Sequence, residues 1–334
     1  MADNSFKAFR VHQDGKEHRA GIEYLKLEDL KPGELVVEAA WSSVNFKDAL
    51  AGLGKAPILR TSPLVGGIDA AGKVIESSDD RFKPGDRVLV TGCGLSETRD
   101  GGYSEQLCLP ADWAIPLPEG LDLREAMALG TAGFTAALGL WRMETNGQSP
   151  DRGPLVVTGA SGGVGTLALQ IYTRAGYEVH AISGKEEEFP FLQKLGAQQC
   201  ISRHGLDLGS RPLESARWAG ALDNVGGRIL EGLTRTIKPW GNIASCGNAA
   251  GIQLHTTVMP FIIRGISLLG INSAGCPYDL RAELWRRLAD EWKPPLLSEI
   301  ASNETTLDEL PSVFDNMLQG RSSGRTLVRL SGEQ

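Results

Sequence analysis

A glycine-rich turn carries the clearest chemical signal in this sequence. Its residues are Thr158-Gly159-Ala160-Ser161-Gly162-Gly163-Val164-Gly165. They fit the pattern G-x-G-x-x-G, with Ala160 in the first position followed by Gly162 and Gly165. Such a turn lets bare backbone approach a pyrophosphate, and amides at the following helix start attract phosphate oxygens. The turn therefore predicts a dinucleotide-binding site, against the plainer interpretation of a strand–turn–helix corner without a ligand.

The same residues also fit G-x-S-x-G, the nucleophile turn of some hydrolases. Ser161 would be the nucleophile, and Asp223 and His255 follow in the chain order of a catalytic triad. Nothing around His255 marks it as a base, because Leu254-His255-Thr256-Thr257 equally suits a surface strand. A Ser161 hydrolase is therefore kept as the competing enzyme hypothesis.

The residues after the second predicted strand indicate which dinucleotide binds. An NAD site places an acidic residue at the end of that strand, to hold the ribose hydroxyls. This sequence instead has Ser183-Gly184-Lys185, and Arg203 follows the third strand. A hydroxyl and two cations suit a 2′-phosphate, so we predict NADPH, although each cation alone could be a solvated surface charge. The acidic run 186–188 fits the start of the next helix.

The flanking elements must form a parallel sheet to present this turn. Val164, Leu167, Ala168, Ile171 and Ala175 fall on one helical face. Short apolar strands alternate with helical stretches, which is typical of βαβ units. The predicted strands are residues 155–158, 178–182, 199–201, 219–223, 242–245 and 266–270.

Both ends of the chain differ from this middle part. Residues 1–124 contain short strands such as 34–39, 73–76 and 87–90, with a predicted tight turn at Phe82-Lys83-Pro84-Gly85-Asp86, a pattern typical of a small barrel. The stretch 327–330 predicts a last strand that returns to this first domain. We therefore predict two domains, the first formed by 1–124 and 295–334 and the second by 125–294.

Composition excludes several classes of protein. The 334 residues carry a formal net charge of −7, so there is no basic excess for nucleic-acid binding. No apolar segment of the kind found in signal peptides follows Met1, and the uncharged stretch 126–141 is too short to span a membrane, so we expect a cytoplasmic protein with a buried helix there. The five cysteines form no C-x-x-C pair and no metal-ligand spacing occurs, so no metal is expected.

The chain resembles the medium-chain dehydrogenase/reductase superfamily, and within it the zinc-free quinone-oxidoreductase branch that includes acrylyl-CoA reductases. The resemblance covers almost the whole chain. It rests on residues 41–50 (WSSVNFKDAL), 66–72 (GGIDAAG), 82–88 (FKPGDRV), 130–136 (GTAGFTA), 157–165 (VTGASGGVG), 256–264 (TTVMPFIIR) and 324–328 (GRTLV).

This resemblance implies an α/β fold, in which a doubly wound Rossmann sheet binds NADPH and a GroES-like β-barrel domain carries catalysis. It implies cofactor contacts with the diphosphate, the 2′-phosphate and the nicotinamide. The residues at the diphosphate are Ser161, Gly162, Gly163 and Val164. Those at the 2′-phosphate are Ser183, Gly184, Lys185 and Arg203. Those towards the nicotinamide are Phe46, Asn248, Ile262, Ser273 and Arg325.

The resemblance also implies catalytic roles for Asn45, Phe46 and Asp48, although Asn45 and Asp48 equally suit a helix cap. Relatives usually carry tyrosine at position 46, and Phe46 cannot donate a proton. Water, Asn45 or protonation of the product enolate from solvent remain as proton sources. Zinc-dependent relatives carry Gly-His-Glu where this chain has Gly67-Ile68-Asp69, which also implies zinc-free chemistry.

The expected reaction is NADPH-dependent reduction of an activated C=C bond, by hydride transfer to the β-carbon of an enone or enoyl thioester. Acrylyl-CoA is the leading substrate, and quinone reduction is the alternative. A second departure from close relatives, Arg99-Asp100 in place of His-Trp, is expected near the acyl pocket. A third hypothesis is that the protein binds a nucleotide with the same fold but catalyses no reaction. The resemblance implies a homodimer, formed by pairing of the strand 266–270 with a second copy.

Overall fold

The computed structural model describes residues 5–15 and 17–330. They divide into two compact units. The first unit lies within Met1–Thr131, Ala274–Ala289 and Leu297–Gln334, and the second comprises Ala132–Ser273 and Asp290–Leu296. The predicted domain boundaries at residues 124 and 295 stay a prediction.

The first unit is mainly β-structure. Its strands are β1 (Phe6–Asp14), β2 (Glu17–Leu25), β3 (Leu35–Ser43), β4 (Leu64–Val65), β5 (Asp69–Ser77), β6 (Arg87–Thr91), β7 (Gln106–Leu109) and β8 (Ile115–Pro116), with β15 (Asn303–Thr305) and β16 (Thr326–Arg329) from the end of the chain. Its helices are α1 (Phe46–Gly52), α7 (Tyr278–Ala289), α8 (Leu297–Ile300) and α9 (Leu310–Leu318).

These strands form two sheets over apolar cores. A seven-stranded sheet has the order β15-β16-β3-β5-β6-β8, with β7 paired to β3, and a three-stranded sheet has the order β2-β1-β4. Successive side chains of a strand point to opposite faces of the sheet, and Leu35, Val37 and Ala39 of β3 are buried in one cluster with Ala70 and Val74 of β5. The predicted turn between β5 and β6 is confirmed, because Gly85 adopts a φ of 97° there.

The predicted last strand is confirmed as part of the first unit. β16 pairs antiparallel with β3, placing Leu327 opposite Ser43 and Val328 opposite Ser42. Both Leu327 and Val328 are fully buried. Residues 326–329 therefore supply a strand of the seven-stranded sheet that lies between β15 and β3.

The second unit is a parallel sheet with helices. The strands are β9 (Leu155–Thr158), β10 (Val179–Ser183), β11 (Ala197–Ser202), β12 (Trp218–Asp223), β13 (Ile237–Ser245) and β14 (Ser267–Gly270), and the helices are α3 (Gly163–Arg174), α4 (Phe189–Lys194), α5 (Gly227–Thr236) and α6 (Met259–Arg264). The order is β11-β10-β9-β12-β13-β14, with every pairing parallel. All six predicted strands are confirmed, although β13 begins earlier than predicted.

Helix α2 (Leu123–Thr145) contains the predicted buried helix. Its apolar side chains are almost completely buried, as Met127, Leu129, Phe134 and Leu140 show. No helix in the described part of the chain combines the length and hydropathy of a membrane-spanning segment. The helix is interrupted at Gly130, whose φ of 49° and ψ of −156° are not helical.

Candidate functional site

The glycine-rich turn of the second unit leads from β9 into α3. Gly159 adopts a φ of 58°, which favours glycine. A Cβ on Gly165 would lie 2.5 Å from the Gly159 carbonyl oxygen and 2.6 Å from Ala160 Cα, so this glycine is required by packing. A Cβ on Gly162 would meet only the Gly159 oxygen, at 3.3 Å. The bare surface at Gly162 is therefore open to a ligand rather than filled by the chain.

The start of α3 provides hydrogen-bond donors for that ligand. Gly162 caps the helix with extended backbone, and the helix begins at Gly163. The first amides of a helix have no acceptor within it, and they carry the positive end of the helix dipole. The twelve residues of α3 make this dipole substantial. The predicted residues Gly163 and Val164 thus lie where a pyrophosphate would be held.

The predicted serines of the cofactor site contact each other. The hydroxyls of Ser161 and Ser183 lie 3.0 Å apart, and both side chains are buried. The Ser183 hydroxyl also accepts a hydrogen bond from the backbone N–H of Lys185 at 3.1 Å. These hydrogen bonds link the glycine-rich turn to the loop after β10, and they hold the backbone of Lys185 in place.

The loops after β10 and β11 bring the predicted Arg203 against Gly184. A Cβ on Gly184 would lie 2.3 Å from Arg203 Nε and 2.8 Å from Arg203 Cζ. The backbone N–H of Arg203 donates to the Ser183 carbonyl oxygen at 2.9 Å. The first carboxylate after the strand, Glu186, accepts from Ser202 Oγ at 2.5 Å. Lys185 after β10 and Arg203 after β11 therefore lie in neighbouring loops, and Lys185 precedes the first carboxylate after β10, Glu186.

The remaining predicted residues of the second unit occupy loops and a short helix. Asn248 is exposed in the loop after β13, and Ile262 lies on α6 with 70% of its surface exposed. Ser273 follows β14 and is partly buried. Their cofactor contacts stay a prediction.

A polar bracket at the neighbouring strand ends was not anticipated. Asp223 ends β12 and accepts from Thr158 Oγ1 at 2.8 Å and from the Gly226 N–H at 2.9 Å. Asn224 Nδ2 donates to the Thr158 carbonyl oxygen at 2.6 Å. The bracket joins β9 to β12, where the strand order reverses, which is the place where doubly wound sheets bind ligands. Asp223 was noticed in the sequence only as a candidate triad acid.

The hydrolase hypothesis finds no support in this geometry. Asp223 is engaged by Thr158 and by backbone, and His255 contacts Glu231, with 2.8 Å between His255 Nδ1 and Glu231 Oε1. The His255 side chain is 79% exposed. Neither residue bonds to the other or to Ser161, whereas a triad needs both hydrogen bonds.

In the first unit, the predicted residues Asn45 and Asp48 form the start of α1. Asn45 is the residue before the helix, and its backbone N–H donates to Asp48 Oδ2 at 2.9 Å. The Asn45 side-chain amide donates to Asp69 Oδ2 at 2.9 Å, and its oxygen accepts from Arg325 Nη1 at 3.2 Å. The cap interpretation is therefore correct as local geometry, and the cap is tied to a buried charge cluster.

Arg325 is the centre of that cluster. Its guanidinium donates to Ser43 Oγ at 2.7 Å, to the Val44 carbonyl at 3.1 Å and to the Ala128 carbonyl at 3.2 Å. Arg325 Nη2 lies 3.8 Å from Asp69 Oδ2. The side chain is only 3% exposed, and its burial lowers the pKa of the guanidinium. A direct role of Arg325 at the cofactor stays a prediction, since its donors are used inside the first unit.

Asp69 was missed by the sequence reasoning as a site residue. It is fully buried and accepts from Ser43 Oγ at 2.6 Å, from the Thr131 N–H at 2.9 Å and from Thr131 Oγ1 at 2.6 Å. In the sequence, Thr131 belongs only to a stretch that carries the resemblance, and Asp69 also marks the difference from zinc-dependent relatives. Nothing in local spacing connects residues so far apart in the chain.

Asp48 has an unusual protonation equilibrium. Burial, reinforced by the nearby charge of Asp69, raises the pKa of Asp48 to about 7 against hydrogen bonds from Asn45 and Tyr103. Asp48 Oδ1 also accepts from the Ile68 N–H at 3.0 Å. The carboxyl thus changes charge near neutral pH, inside the cluster that holds the start of α1.

We expect Asp48→Asn to flatten the pH dependence of stability. The folded-state pKa of Asp48 is about 7 and the ordinary value is 3.8, so the folded protein holds this proton more tightly than the unfolded chain. The free energy of unfolding of the wild type should therefore fall as pH rises from about 4 to about 7, by at most about 1.4 kcal/mol per unit from this group.

Urea denaturation of both proteins at several pH values measures this slope. Stability of the variant relative to the wild type should rise across the same interval and level off above it. Asp80→Asn, which replaces an exposed carboxyl in the same unit, is the matched control. Parallel curves for Asp48→Asn and wild type would contradict the prediction.

Phe46 is the first residue of α1 and is 40% exposed. It presents an aromatic ring at a corner whose backbone is fixed by Asn45 and Asp48. Its side chain has no group that could transfer a proton. Asn45 is 9% exposed, and its amide and carbonyl are both engaged by buried partners. The site in the first unit can therefore position a substrate but offers it no acid at these two residues.

Comparisons with known proteins agree with this arrangement. A family model described as an alcohol dehydrogenase GroES-like domain matches residues 31–119, and one described as a zinc-binding dehydrogenase matches residues 163–290. The predicted combination of a GroES-like domain with a Rossmann sheet is thereby confirmed.

Several relatives match over nearly their whole length. A putative quinone oxidoreductase, YhfP of Bacillus subtilis, is 43% identical over 97% of this chain and 99% of the relative. The acrylyl-CoA reductase AcuI of Ruegeria pomeroyi is 43% identical over 97% of this chain and 98% of the relative.

Two crystal structures show the same fold. The YhdH oxidoreductase of Salmonella enterica in complex with NADP has a TM-score of 0.93 and 42% identity, covering 97% of this chain and all of that one. The structure of Bacillus subtilis YhfP with NAD bound also has a TM-score of 0.93 and 42% identity, with coverage of 98% and 99%.

The residues do not fit the zinc ion named by the second family model. No three histidine, cysteine, aspartate or glutamate side chains within 5–15 and 17–330 are placed to hold a metal. Ile68, at the position of the zinc-dependent histidine, has an apolar and 5% exposed side chain. Asp69 is already saturated by hydroxyl and amide donors.

Proposed function

This chain belongs to the medium-chain dehydrogenase/reductase family of nicotinamide-dependent oxidoreductases, and from that premise we propose that it reduces the activated C=C bond of an enoyl thioester with NADPH. Acrylyl-CoA, which would yield propionyl-CoA, is the leading substrate. The relative AcuI is named an acrylyl-CoA reductase, and this chain matches 98% of its length. The single structural observation that carries the proposal is the dinucleotide turn with two cations beside it.

The loop after β10 supports NADPH over NADH. A 2′-phosphate is bound best by charge-assisted hydrogen bonds, and Lys185 and Arg203 supply such donors on backbone fixed by Ser183. An NAD site would require a carboxylate at the strand end. Relatives have been crystallised with NADP in one case and with NAD in another. Because likeness to them does not choose between the two cofactors, we base the choice of NADPH on these loop residues.

The two units divide the work of the reaction. The amides at the start of α3, with Ser161, would hold the diphosphate, and Lys185 with Arg203 would hold the 2′-phosphate. When bound, the reduced nicotinamide supplies a hydride for the β-carbon of the substrate. In the first unit, Asn45 and Asp48 hold the backbone at the start of α1. The buried cluster therefore fixes the position from which the Phe46 ring extends.

Protonation of the α-carbon is assigned to solvent. Phe46 has no transferable proton, and the side chain of Asn45 is occupied by Asp69 and Arg325. Tyr103 is fully buried, and burial raises the pKa of its hydroxyl well above the ordinary value. Of the proton sources considered from the sequence, the enolate protonated by water is the one these contacts favour.

A substrate panel tests the function. We expect NADPH oxidation with acrylyl-CoA to exceed that with crotonyl-CoA and with a simple quinone by at least about tenfold in kcat/KM, a difference of about 1.4 kcal/mol in transition-state binding. A quinone as the best substrate would favour the alternative suggested by the name of YhfP. Tight NADPH binding without turnover of any of the three would favour the non-catalytic rival. Ser161→Ala should only weaken NADPH binding, whereas a Ser161 hydrolase would hydrolyse esters as the wild type and lose that activity in this variant.

We also infer a homodimer formed through β14. This strand is the edge of the six-stranded sheet, and its neighbour β13 covers only one side. The exposed apolar residues Val258 and Ile263 lie in the same unit, which suits burial against a second copy. Light scattering should give twice the 35.8 kDa chain mass, and Leu268→Lys should shift the mass towards the monomer. A monomer at all concentrations would refute this inference.

A further inference from the structure

A group of basic side chains surrounds a turn in the first unit. Lys47 Nζ lies 2.6 Å from Glu97 Oε1, and the backbone N–H of Arg60 donates to the Glu97 carbonyl at 2.7 Å. Lys31 Nζ donates to the Thr98 carbonyl at 2.6 Å. The ammonium groups of Lys47 and Lys31 therefore meet at residues 97–98, and the backbone of Arg60 lies beside them. We call Lys31, Lys47 and Arg60 the basic rim.

The charge balance of this region is positive. Arg99 adds a fourth cation, because its guanidinium donates to the Lys31 carbonyl at 3.2 Å. Glu97 and Asp100 are the two carboxylates, and Asp100 is buried against the Lys31 and Val65 amides. Three basic groups, those of Lys31, Lys47 and Arg99, thus lie at this turn with two carboxylates, and the exposed Arg60 is anchored beside them, in a protein whose formal net charge is −7. Such a local excess attracts anions against the charge of the whole molecule.

Arg60 is the member of the rim that is free to bind. It is exposed, and its guanidinium makes no hydrogen bond or ion pair with residues 5–15 or 17–330. Its backbone is nevertheless held, by the bond to Glu97 and by the neighbouring Thr61, whose hydroxyl accepts from Lys31 Nζ at 2.9 Å. A guanidinium on fixed backbone matches the bidentate geometry of a phosphate.

The rim begins beside the candidate catalytic corner. Lys47 directly follows Phe46 in the first turn of α1. The Arg99-Asp100 pair contacts the backbone of Lys31, and its expected place near the acyl pocket stays a prediction. An anionic part of a substrate whose reactive end reaches Phe46 would therefore meet cations along this surface.

We propose that the basic rim binds the phosphate groups of a coenzyme A thioester. This inference rests on the proposed function, since a coenzyme A thioester carries its diphosphate and 3′-phosphate at the end remote from the reacting carbons. Arg60 contributes the bidentate donor, and Lys31 and Lys47 supply further charge. Uncharged enones and quinones lack these groups and gain nothing from the rim.

The test compares two substrates that differ only in the phosphates. Acrylyl-CoA and acrylyl-pantetheine share the thioester and the acyl group. The ratio of kcat/KM for acrylyl-CoA to that for acrylyl-pantetheine should be at least about tenfold in the wild type, and it should fall at least about tenfold in Arg60→Glu, mainly through KM. Raising NaCl from about 50 to about 300 mM should lower the ratio in the wild type, because salt screens exposed charges.

Two further variants make the comparison specific. Arg60→Lys keeps the positive charge and should retain a ratio between those of the wild type and Arg60→Glu. Arg321→Glu changes the charge equally at an exposed arginine after α9 and should leave the ratio unchanged. Equal ratios in the wild type and Arg60→Glu would overturn the proposal.

Binding measurements separate this proposal from the proposed function. Calorimetry with coenzyme A, in saturating NADP⁺ to occupy the dinucleotide site, should show binding to the wild type that is at least about tenfold weaker in Arg60→Glu. If neither thioester is reduced but this difference is found, the proposed function fails and the rim stands. If acrylyl-CoA is reduced but coenzyme A binds both proteins equally, only the rim is wrong.

Discussion

Lys185→Glu combined with Arg203→Glu is expected to lower kcat/KM for NADPH by about 10³-fold, because each removes a charge-assisted hydrogen bond of about 1.5–3 kcal/mol and adds repulsion. The value for NADH should change by less than about tenfold, since that cofactor has no 2′-phosphate. Arg203 packs directly on Gly184, so the two cations act at one place. Steady-state kinetics with both cofactors and one enoyl substrate measure the effect.

The matched control reverses two charges at the opposite edge of the same sheet. Arg174 ends α3 and Lys238 lies near the start of β13, whereas the cofactor loops follow the ends of β9 and β10. Arg174→Glu with Lys238→Glu should leave the ratio of the two cofactor values unchanged. Wild-type enzyme that already prefers NADH, or a double variant of the loop that keeps its NADPH preference, would contradict the assignment.

Gly130→Ala is expected to lower the free energy of unfolding by about 4 kcal/mol, the sum expected from backbone strain and from disturbing a buried ion pair. Gly130 has a φ of 49° and a ψ of −156°, where side chains are strained. A Cβ there would lie 2.6 Å from Asp69 Oδ2, 2.7 Å from Arg325 Nη2 and 2.8 Å from Ser43 Oγ. All three atoms belong to buried side chains of the cluster.

Urea denaturation followed by tryptophan fluorescence measures this loss. Gly21→Ala is the control, because a Cβ at Gly21 meets no atom within 4 Å and its backbone is ordinary strand. The control should cost less than about 1 kcal/mol. Equal midpoints for the two variants would show that the cluster accommodates a methyl group and that its packing has been overestimated.

The sequence predicted those features that depend on neighbouring residues. The strand 155–158, the glycine-rich turn and the helix behind it follow from apolar spacing and from glycine at fixed positions. The missing carboxylate after β10 was visible in the same way, since Ser183-Gly184-Lys185 is a local pattern. Asn45 and Asp48 also fit a local pattern, and the structure shows that they do cap a helix.

The buried cluster could not be predicted because its members come from remote segments. Asp69, Thr131 and Arg325 meet only after β3, β5 and β16 have formed one sheet and α2 has bent at Gly130. The raised pKa of Asp48 follows from that burial and from the charge of Asp69, so no spacing rule contains it. The basic rim likewise depends on the fold, as Lys31, Lys47 and Arg60 are unremarkable charges in the sequence.

The pairing of β16 with β3 has a consequence for biosynthesis. The first unit holds β16, and Arg325 beside it, only after the ribosome has translated the whole of the second unit and has reached residue 329. The parallel sheet of the second unit, by contrast, is encoded without interruption between residues 155 and 270 and can assemble while translation continues. Until then residues 41–43 of β3 lack their partner β16, and chaperones would be most needed at this stage.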